Sequence, residues 1–121
     1  MWTYSVADGS LYAPKTGARI AFGYSGREKG LNNSCYENVH CIGPIPRGQW
    51  IIGKFFDDAE KGPVVCHLII GPASDVYGRD GFMIHGDNSA HNCSASEGCI
   101  ILPRFAREAI RDSGDSQLMV I

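Results

Sequence analysis

Turn-forming residues recur so often along this chain that only one segment is suited to a helix. Asp8-Gly9 is a tight-turn signal between two short aromatic and β-branched runs, residues 2–6 and 10–13, which predicts an opening β-hairpin. The Gly-Pro-Ile-Pro run at 43–46 excludes helix there, because proline lacks a backbone N–H and restricts the residue before it. Short strands are therefore expected to dominate.

The exception is the segment that follows Pro103. Proline suits a first helical position, and Gly114 suits the position after the helix. One helical face is small and apolar and is expected to be buried: Phe105, Ala106, Ala109 and Ile110. The other face is charged and is expected to be exposed: Arg104, Arg107, Glu108, Arg111 and Asp112. With about eight short strands elsewhere, the pattern predicts a mostly-β sandwich or barrel with one helix after Cys99. The length of 121 residues predicts a single domain over 1–121.

Charge and hydropathy exclude two classes of partner. The formal net charge is −2 and the sequence has no run of Lys and Arg, so a nucleic-acid-binding protein is not expected. No apolar run approaches the length of a membrane span. The first ten residues lack a basic region and a long apolar core, so no secretory signal is expected either.

The stretch from 82 to 102 carries the candidate chemistry. An apolar run ends in His85-Gly86, and after a polar loop Gly98-Cys99 leads directly into a second apolar run. A thiol is a nucleophile only as thiolate, and a nearby imidazole can take its proton. We therefore expect a cysteine acyl-transfer enzyme with Cys99 as nucleophile and His85 as base. The second ring nitrogen of His85 needs an acceptor, either a backbone carbonyl or a carboxylate such as Asp87.

Two alternatives use the same stretch. His91 lies in the polar loop and is a competing base. A zinc site is the other, since two histidines and two cysteines supply four N/S ligands, although their spacing lacks a paired C-x-x-C knuckle. That ligand set is His85, His91, Cys93 and Cys99. We expect no metal.

The five cysteines fit two disulfides and one reactive thiol. Cys35 and Cys41 flank a short loop and are the first candidate pair, which leaves Cys66 and Cys93 as the second. Four spare cysteines in so small a domain favour an oxidising destination. Five ordinary thiols in a reducing cytosol fit the same count.

Several motifs together carry a family resemblance. They are Gly-Tyr-Ser-Gly at 23–26, Gly-Leu-Asn-Asn at 30–33, Gly-Pro-Ile-Pro-Arg-Gly-Gln-Trp at 43–50, Ile-His-Gly-Asp-Asn at 84–88 and Ser-x-Gly-Cys at 96–99. The last two resemble the signature of the L,D-transpeptidase (YkuD-like) catalytic domain. All of them, in this order from about Tyr4 to Leu118, resemble the type VI secretion L,D-transpeptidase effector family. Where the signature has a second histidine, this chain has Glu97.

The resemblance implies roles for individual residues. Cys99 would be the nucleophile and His85 the general base, while Ser96 and Gly98 would shape the cysteine loop. The backbone at Gly98 and Cys99 would line the oxyanion hole. The residues expected to contact the substrate or the oxyanion are Gly98, Ser96, Gly86, Asp87 and His91.

The resemblance also implies a substrate and a setting. The enzyme would cleave the bond between meso-diaminopimelate and D-Ala in peptidoglycan tetrapeptide stems, without a cofactor, and would exchange D-amino acids through a thioester. It would be an antibacterial toxin exported without a signal peptide, acting in the periplasm of target bacteria. An immunity protein that blocks the site is an expected partner, and a component of the secretion apparatus is another. Another cysteine or zinc peptidase or amidase, or a non-catalytic wall-binding module, are the alternative classes.

Overall fold

The computed structural model describes residues 1–72, 74–90 and 94–121. Within these residues it contains ten strands, one α-helix and two short 3-10 helices. The strands are β1 (Trp2–Ser5), β2 (Ser10–Tyr12), β3 (Arg19–Phe22), β4 (Tyr24–Ser25), β5 (Gly48–Ile52), β6 (Phe56–Asp58), β7 (Gly62–Ile70), β8 (Met83–His85), β9 (Ile100–Ile101) and β10 (Gln117–Val120). The helix α1 is Arg104–Ser113, and the 3-10 helices are Glu28–Gly30 and Ser34–Tyr36. The predicted mostly-β fold with one helix is confirmed.

The strands form one mixed sheet in the order β3-β2-β1-β10-β5-β7-β8-β9-β4, and β6 pairs with β7 beside this path. The predicted opening hairpin is present as the antiparallel pair of β1 and β2. Two pairs are parallel, β1 with β10 and β8 with β9. The second of these pairs brings the end of the His85 strand beside the strand that follows Cys99.

The two edges of this sheet are joined through one residue. β3 lies at one edge and β4 at the other, and Gly23 alone separates them in sequence. The Gly23 N–H donates to the carbonyl of Gly9 at 2.8 Å, and a Cβ on Gly23 would lie 1.8 Å from the Ile101 carbonyl oxygen. The sheet therefore curls until its edges meet, and only glycine fits at the junction.

The curled sheet and the helix enclose one hydrophobic core. Trp50 is its largest fully buried side chain. Its ring meets Phe82 edge to face with centroids 5.0 Å apart, and its Nε1–H donates to the Pro46 carbonyl at 3.0 Å. Because Phe82 immediately precedes β8, this packing fixes the start of the strand that carries His85.

The helix keeps its predicted ends but not its predicted faces. Pro103 is the N-cap and Gly114 adopts a left-handed φ of 70° at the C-cap. Ala106 and Ile110 are buried as expected, whereas Phe105 is 59% exposed and Arg107 is buried. Arg107 is inside because its guanidinium donates to backbone carbonyls. In the described part of the chain no helix combines the length and apolarity that a membrane crossing needs.

Candidate active site

His85 ends β8 with its ring almost wholly inside the protein. The side chain is 3% exposed, and Nδ1 lies 2.8 Å from the carbonyl oxygen of Gly86. A carbonyl only accepts, so Nδ1 carries the proton and Nε2 presents a lone pair. Nε2 has no hydrogen-bond partner among the described residues. Burial lowers the pKa of His85 below its ordinary value of 6.5, so the ring is neutral at pH 7.

Cys99 immediately precedes β9 and is half-buried. Its thiol donates to the carbonyl of Gly81 at a sulfur–oxygen distance of 3.6 Å. Desolvation raises the pKa of Cys99 above its ordinary value of 9.0, although a hydrogen bond from the Met83 backbone lowers it in part. The resting site therefore holds a neutral thiol and a neutral imidazole, and no ion pair.

The sheet places the two side chains on the same face. Ile84 pairs with Ile100 in the parallel ladder of β8 and β9, so Cys99 is level with Met83, two residues before His85. Both line a cavity of about 470 Å³, together with Lys61, Asp80, Gly81, Phe82, Met83, Ser94, Ala95, Glu97 and Gly98. An unpartnered base and a nucleophile thus border the same space, which is what proton transfer during acyl transfer requires.

Ser96 shapes the cysteine loop, the role that the family resemblance implies for it. Its side chain is fully buried, and its hydroxyl donates to the Cys99 carbonyl at 2.6 Å. The same oxygen accepts the N–H groups of Gly26 at 2.8 Å and Gly98 at 3.1 Å. All three hydrogen-bonding positions of the hydroxyl are used. Ser96 therefore fixes the backbone on both sides of the nucleophile.

Gly98 borders the cavity, but its amide serves the loop. That N–H donates to Ser96, so it does not supply the oxyanion-hole donor expected from the sequence. Gly98 also adopts φ +134°, where a Cβ would lie 2.6 Å from the Arg79 guanidinium. Only glycine is compatible with this conformation and this close contact.

Arg79 is a site residue that sequence reasoning missed. It is 6% exposed, and its guanidinium donates to the carbonyls of Gly43, Pro44 and Glu97 at 2.9, 2.8 and 3.1 Å. A further bond goes to the Glu37 carbonyl. Arg79 therefore ties the Gly-Pro-Ile-Pro turn to the cysteine loop. The signal available in the sequence was that turn itself, whose carbonyls need donors that proline cannot provide.

Of the other residues predicted to contact the substrate, the structure describes Gly86 and Asp87. Gly86 provides the orienting carbonyl for His85, whereas the Asp87 carboxylate accepts from the Tyr24 hydroxyl at 2.6 Å. Both line a second cavity of about 230 Å³ that also borders His85. His91 and Cys93 lie outside the described residues.

The expected disulfides are not formed. Cys35, Cys41 and Cys66 are free thiols, as is Cys99. Cys66 lies inside β7 with 0% exposure, within the hydrophobic core. Cys35 and Cys41 are exposed, and backbone hydrogen bonds from Val39 to Tyr36 and from Gly43 to Val39 close this segment without a cross-link.

Metal-binding side chains do not cluster in the part of the chain that the structure describes. No group of three or more His, Cys, Asp or Glu residues there is placed to hold an ion. The four-ligand set considered from sequence includes His91 and Cys93, which are not among those residues.

The sequence of the chain matches the family model described as the Tlde1 domain over residues 19–120. This match takes in β3 to β10, and with them both strands of the candidate site. The chain belongs to the Tlde1 domain family. Tlde1 domains are type VI secretion L,D-transpeptidase effectors, so membership indicates an antibacterial effector with L,D-transpeptidase-like activity. A comparison with curated proteins finds no match.

Proposed function

We propose that this Tlde1 domain protein is a cysteine L,D-carboxypeptidase and L,D-transpeptidase of peptidoglycan. Its substrate is the tetrapeptide stem, cut between meso-diaminopimelate and D-Ala. The observation that carries the proposal is the shared cavity, which Cys99 and His85 both line, together with the buried Nε2 of His85, which has no hydrogen-bond partner among the described residues. Family membership supplies the reaction class, and the cavity supplies the nucleophile and base.

Acylation begins from the neutral pair. As the Cys99 sulfur attacks the diaminopimelate carbonyl carbon, the thiol proton passes to Nε2 of His85. The bond to Gly86 holds the imidazolium that forms. His85 then returns the proton to the amide nitrogen, the C–N bond breaks, and D-Ala leaves with a free amine. A thioester remains on Cys99.

The developing oxyanion needs donors near the nucleophile. Since the Gly98 amide is engaged by Ser96, we assign this role to the amide of Cys99. The peptide group that carries this amide is oriented by Ser25, whose hydroxyl donates to the Gly98 carbonyl at 3.2 Å.

Deacylation decides between the two activities. Water that loses a proton to His85 attacks the thioester and releases the tripeptide, which completes hydrolysis. A D-amino acid or the side-chain amine of another stem attacks in the same way and gives exchange or cross-linking. Cys99 leaves as the thiol in each case, and no cofactor takes part.

The proposed setting is the periplasm of a target bacterium, reached by type VI secretion. An immunity protein that covers the cavity would protect the producer, and a secretion-apparatus component would load the toxin. The free cysteines remove the disulfide argument for an oxidising destination, so the setting rests on family membership.

Purified protein incubated with diaminopimelate tetrapeptide tests the function by release of D-Ala. We expect Cys99→Ala to abolish release and His85→Gln to reduce kcat by about 100-fold or more, the usual contribution of a positioned base. Cys35→Ala is the matched control, because this exposed thiol lies outside the cavity, and it should retain full activity. Undiminished release by Cys99→Ala, or no release by a folded wild type, refutes the proposal.

A further inference from the structure

Two opposite charges border the nucleophile cavity without partners. Lys61 and Asp80 both line the space that contains Cys99 and His85. Among the described residues, neither the Lys61 ammonium nor the Asp80 carboxylate has an ion pair or a side-chain hydrogen bond. Glu97, the other charged residue of the wall, lies 3.6 Å from Arg27. The cavity thus leaves one positive and one negative group available to a ligand.

Lys61 is held in place by its turn. It lies between β6 and β7, where the Asp58 carboxylate accepts its N–H at 2.8 Å and that of Glu60 at 3.0 Å. The next strand begins under strain, because buried Val64 has a φ of +56°, a conformation that β-branched residues avoid. Arg107 stabilises this start by donating to the Pro63 and Val64 carbonyls at 2.7 and 3.2 Å. The turn is a fixed support for the Lys61 backbone.

The turn also lies where two cavities join. Lys61, His85 and Ala95 line both the cavity of about 470 Å³ and the neighbouring cavity of about 230 Å³. A substrate that extends through both therefore passes Lys61 next to the base. His85 Nε2, buried and unpartnered, is an independent indication that a ligand occupies this space.

We propose that Lys61 and Asp80 form a subsite for a zwitterionic α-amino-acid group, with the ligand carboxylate on Lys61 and the ligand ammonium on Asp80. The inference rests on the proposed function, which offers two sources of this chemistry. One is the free end of the diaminopimelate side chain in the donor stem. The other is a free D-amino acid that resolves the thioester: its ammonium first gives one proton to Asp80, which passes it to solvent, and the neutral amine gives its second proton to His85 as it attacks. A ligand that lacks the carboxylate leaves Lys61 without a partner, and a ligand that lacks the ammonium leaves Asp80 without one.

The donor source is tested with two tetrapeptides, one with meso-diaminopimelate and one with L-Lys at the third position. L-Lys carries the side-chain amine but not the carboxylate. We expect the wild type to prefer the diaminopimelate stem by about tenfold in kcat/KM, the contribution of one charge-assisted hydrogen bond in a partly exposed site. Lys61→Met should reduce that preference to about one. Lys54→Met is the control, since Lys54 lines a different cavity, and it should keep the preference.

The acceptor source is tested by comparing two acceptors in the exchange reaction, D-methionine and D-methionine methyl ester. The ester keeps the amine but lacks the carboxylate. If the subsite holds the acceptor, Lys61→Met should reduce the preference for D-methionine by about tenfold while the donor preference stays. Asp80→Asn should weaken both members of the affected pair, because both carry the amine. Either pattern supports the subsite and identifies its ligand.

Each test compares two substrates of the same variant. The general electrostatic effect of Lys61 on Cys99 and His85 acts equally on both substrates and cancels in the ratio of their kcat/KM values, so a changed ratio reports recognition. The subsite is refuted if the wild type releases D-Ala but Lys61→Met changes neither preference. A wild type that is folded and inactive on both stems refutes the proposed function instead. The melting temperature serves as the check that each variant is folded.

Discussion

Replacing Ser96 with alanine tests how the cysteine loop is built. The substitution removes one hydroxyl and leaves three buried backbone groups without partners, the N–H groups of Gly26 and Gly98 and the carbonyl of Cys99. An unsatisfied buried group costs about 1–3 kcal/mol. Taking about 1 kcal/mol for each, we expect the free energy of unfolding to fall by about 3 kcal/mol.

A loss of that size is large for a domain stabilised by about 5–15 kcal/mol. For a chain of this length it corresponds to a melting temperature lower by about 10 °C. Urea unfolding measures the free energy directly. Because the same hydroxyl positions the backbone on both sides of Cys99, kcat/KM for D-Ala release should fall by about 100-fold at a temperature where the variant stays folded.

Ser10→Ala is the matched control. Ser10 is also fully buried, but among the described residues its hydroxyl does not hold a buried backbone group, and its one side-chain interaction is with the exposed Asp8 carboxylate, which water can satisfy instead. Removal of the Ser10 hydroxyl should change the free energy of unfolding by less than about 0.5 kcal/mol and leave activity intact. If the two variants are equally stable, three hydrogen bonds to Ser96 do not hold the loop, and the reasoning is wrong.

The remaining predictions concern ionisation and thiol access. Since burial lowers the pKa of His85 below 6.5 and raises that of Cys99 above 9.0, the plateau of kcat/KM should extend from below pH 6.5 to above pH 9, and alkylation of Cys99 should still rise above pH 9. Fast alkylation at pH 5–6 would instead indicate a thiolate–imidazolium pair. Cys66, with a pKa of about 12 and no exposure, should react with a thiol reagent only after unfolding, whereas the two exposed thiols react at once. Burial raises the pKa of Glu37, but hydrogen bonds from Arg47 outweigh it and leave the pKa below 4.5, so Glu37 contributes stability above pH 4.5 that is lost as the pH falls through its folded pKa. Glu37→Gln should remove this pH dependence from the free energy of unfolding in urea. The same pH dependence between pH 3 and 5 in the variant and the wild type would contradict the prediction.

Local signals in the sequence predicted what local interactions decide. Asp8-Gly9 specified the first hairpin, and Gly114 ended the helix, because each depends on backbone geometry within a few residues. His85 and Cys99 were chosen as candidates for a related reason, since each lies where an apolar run meets a glycine. The described residues contain ten strands where about eight were expected, because strands as short as β4 and β6 carry little periodicity of their own.

The buried arginines depend on partners far away in the chain. Arg79 donates to carbonyls at positions 35 and 36 residues earlier, and Arg107 to carbonyls 43 and 44 residues earlier. No pattern near either arginine records those carbonyls, so charge alone predicted a solvent position for Arg107. The exposure of Phe105 follows from the same exchange on the helix.

The way in which Arg79 binds Glu97 bears on how variable the catalytic motif can be. Arg79 donates to the carbonyl of residue 97, while the side chain of Glu97 is 61% exposed and lies 3.6 Å from Arg27. A main-chain oxygen is common to all amino acids, so the loop keeps its shape whichever side chain stands there. This explains how glutamate occupies the place of a signature histidine without disturbing Cys99. A search pattern that demanded histidine at that place would overlook proteins built in this way, whereas one based on Ser96, Gly98 and the distant Arg79 would retain them.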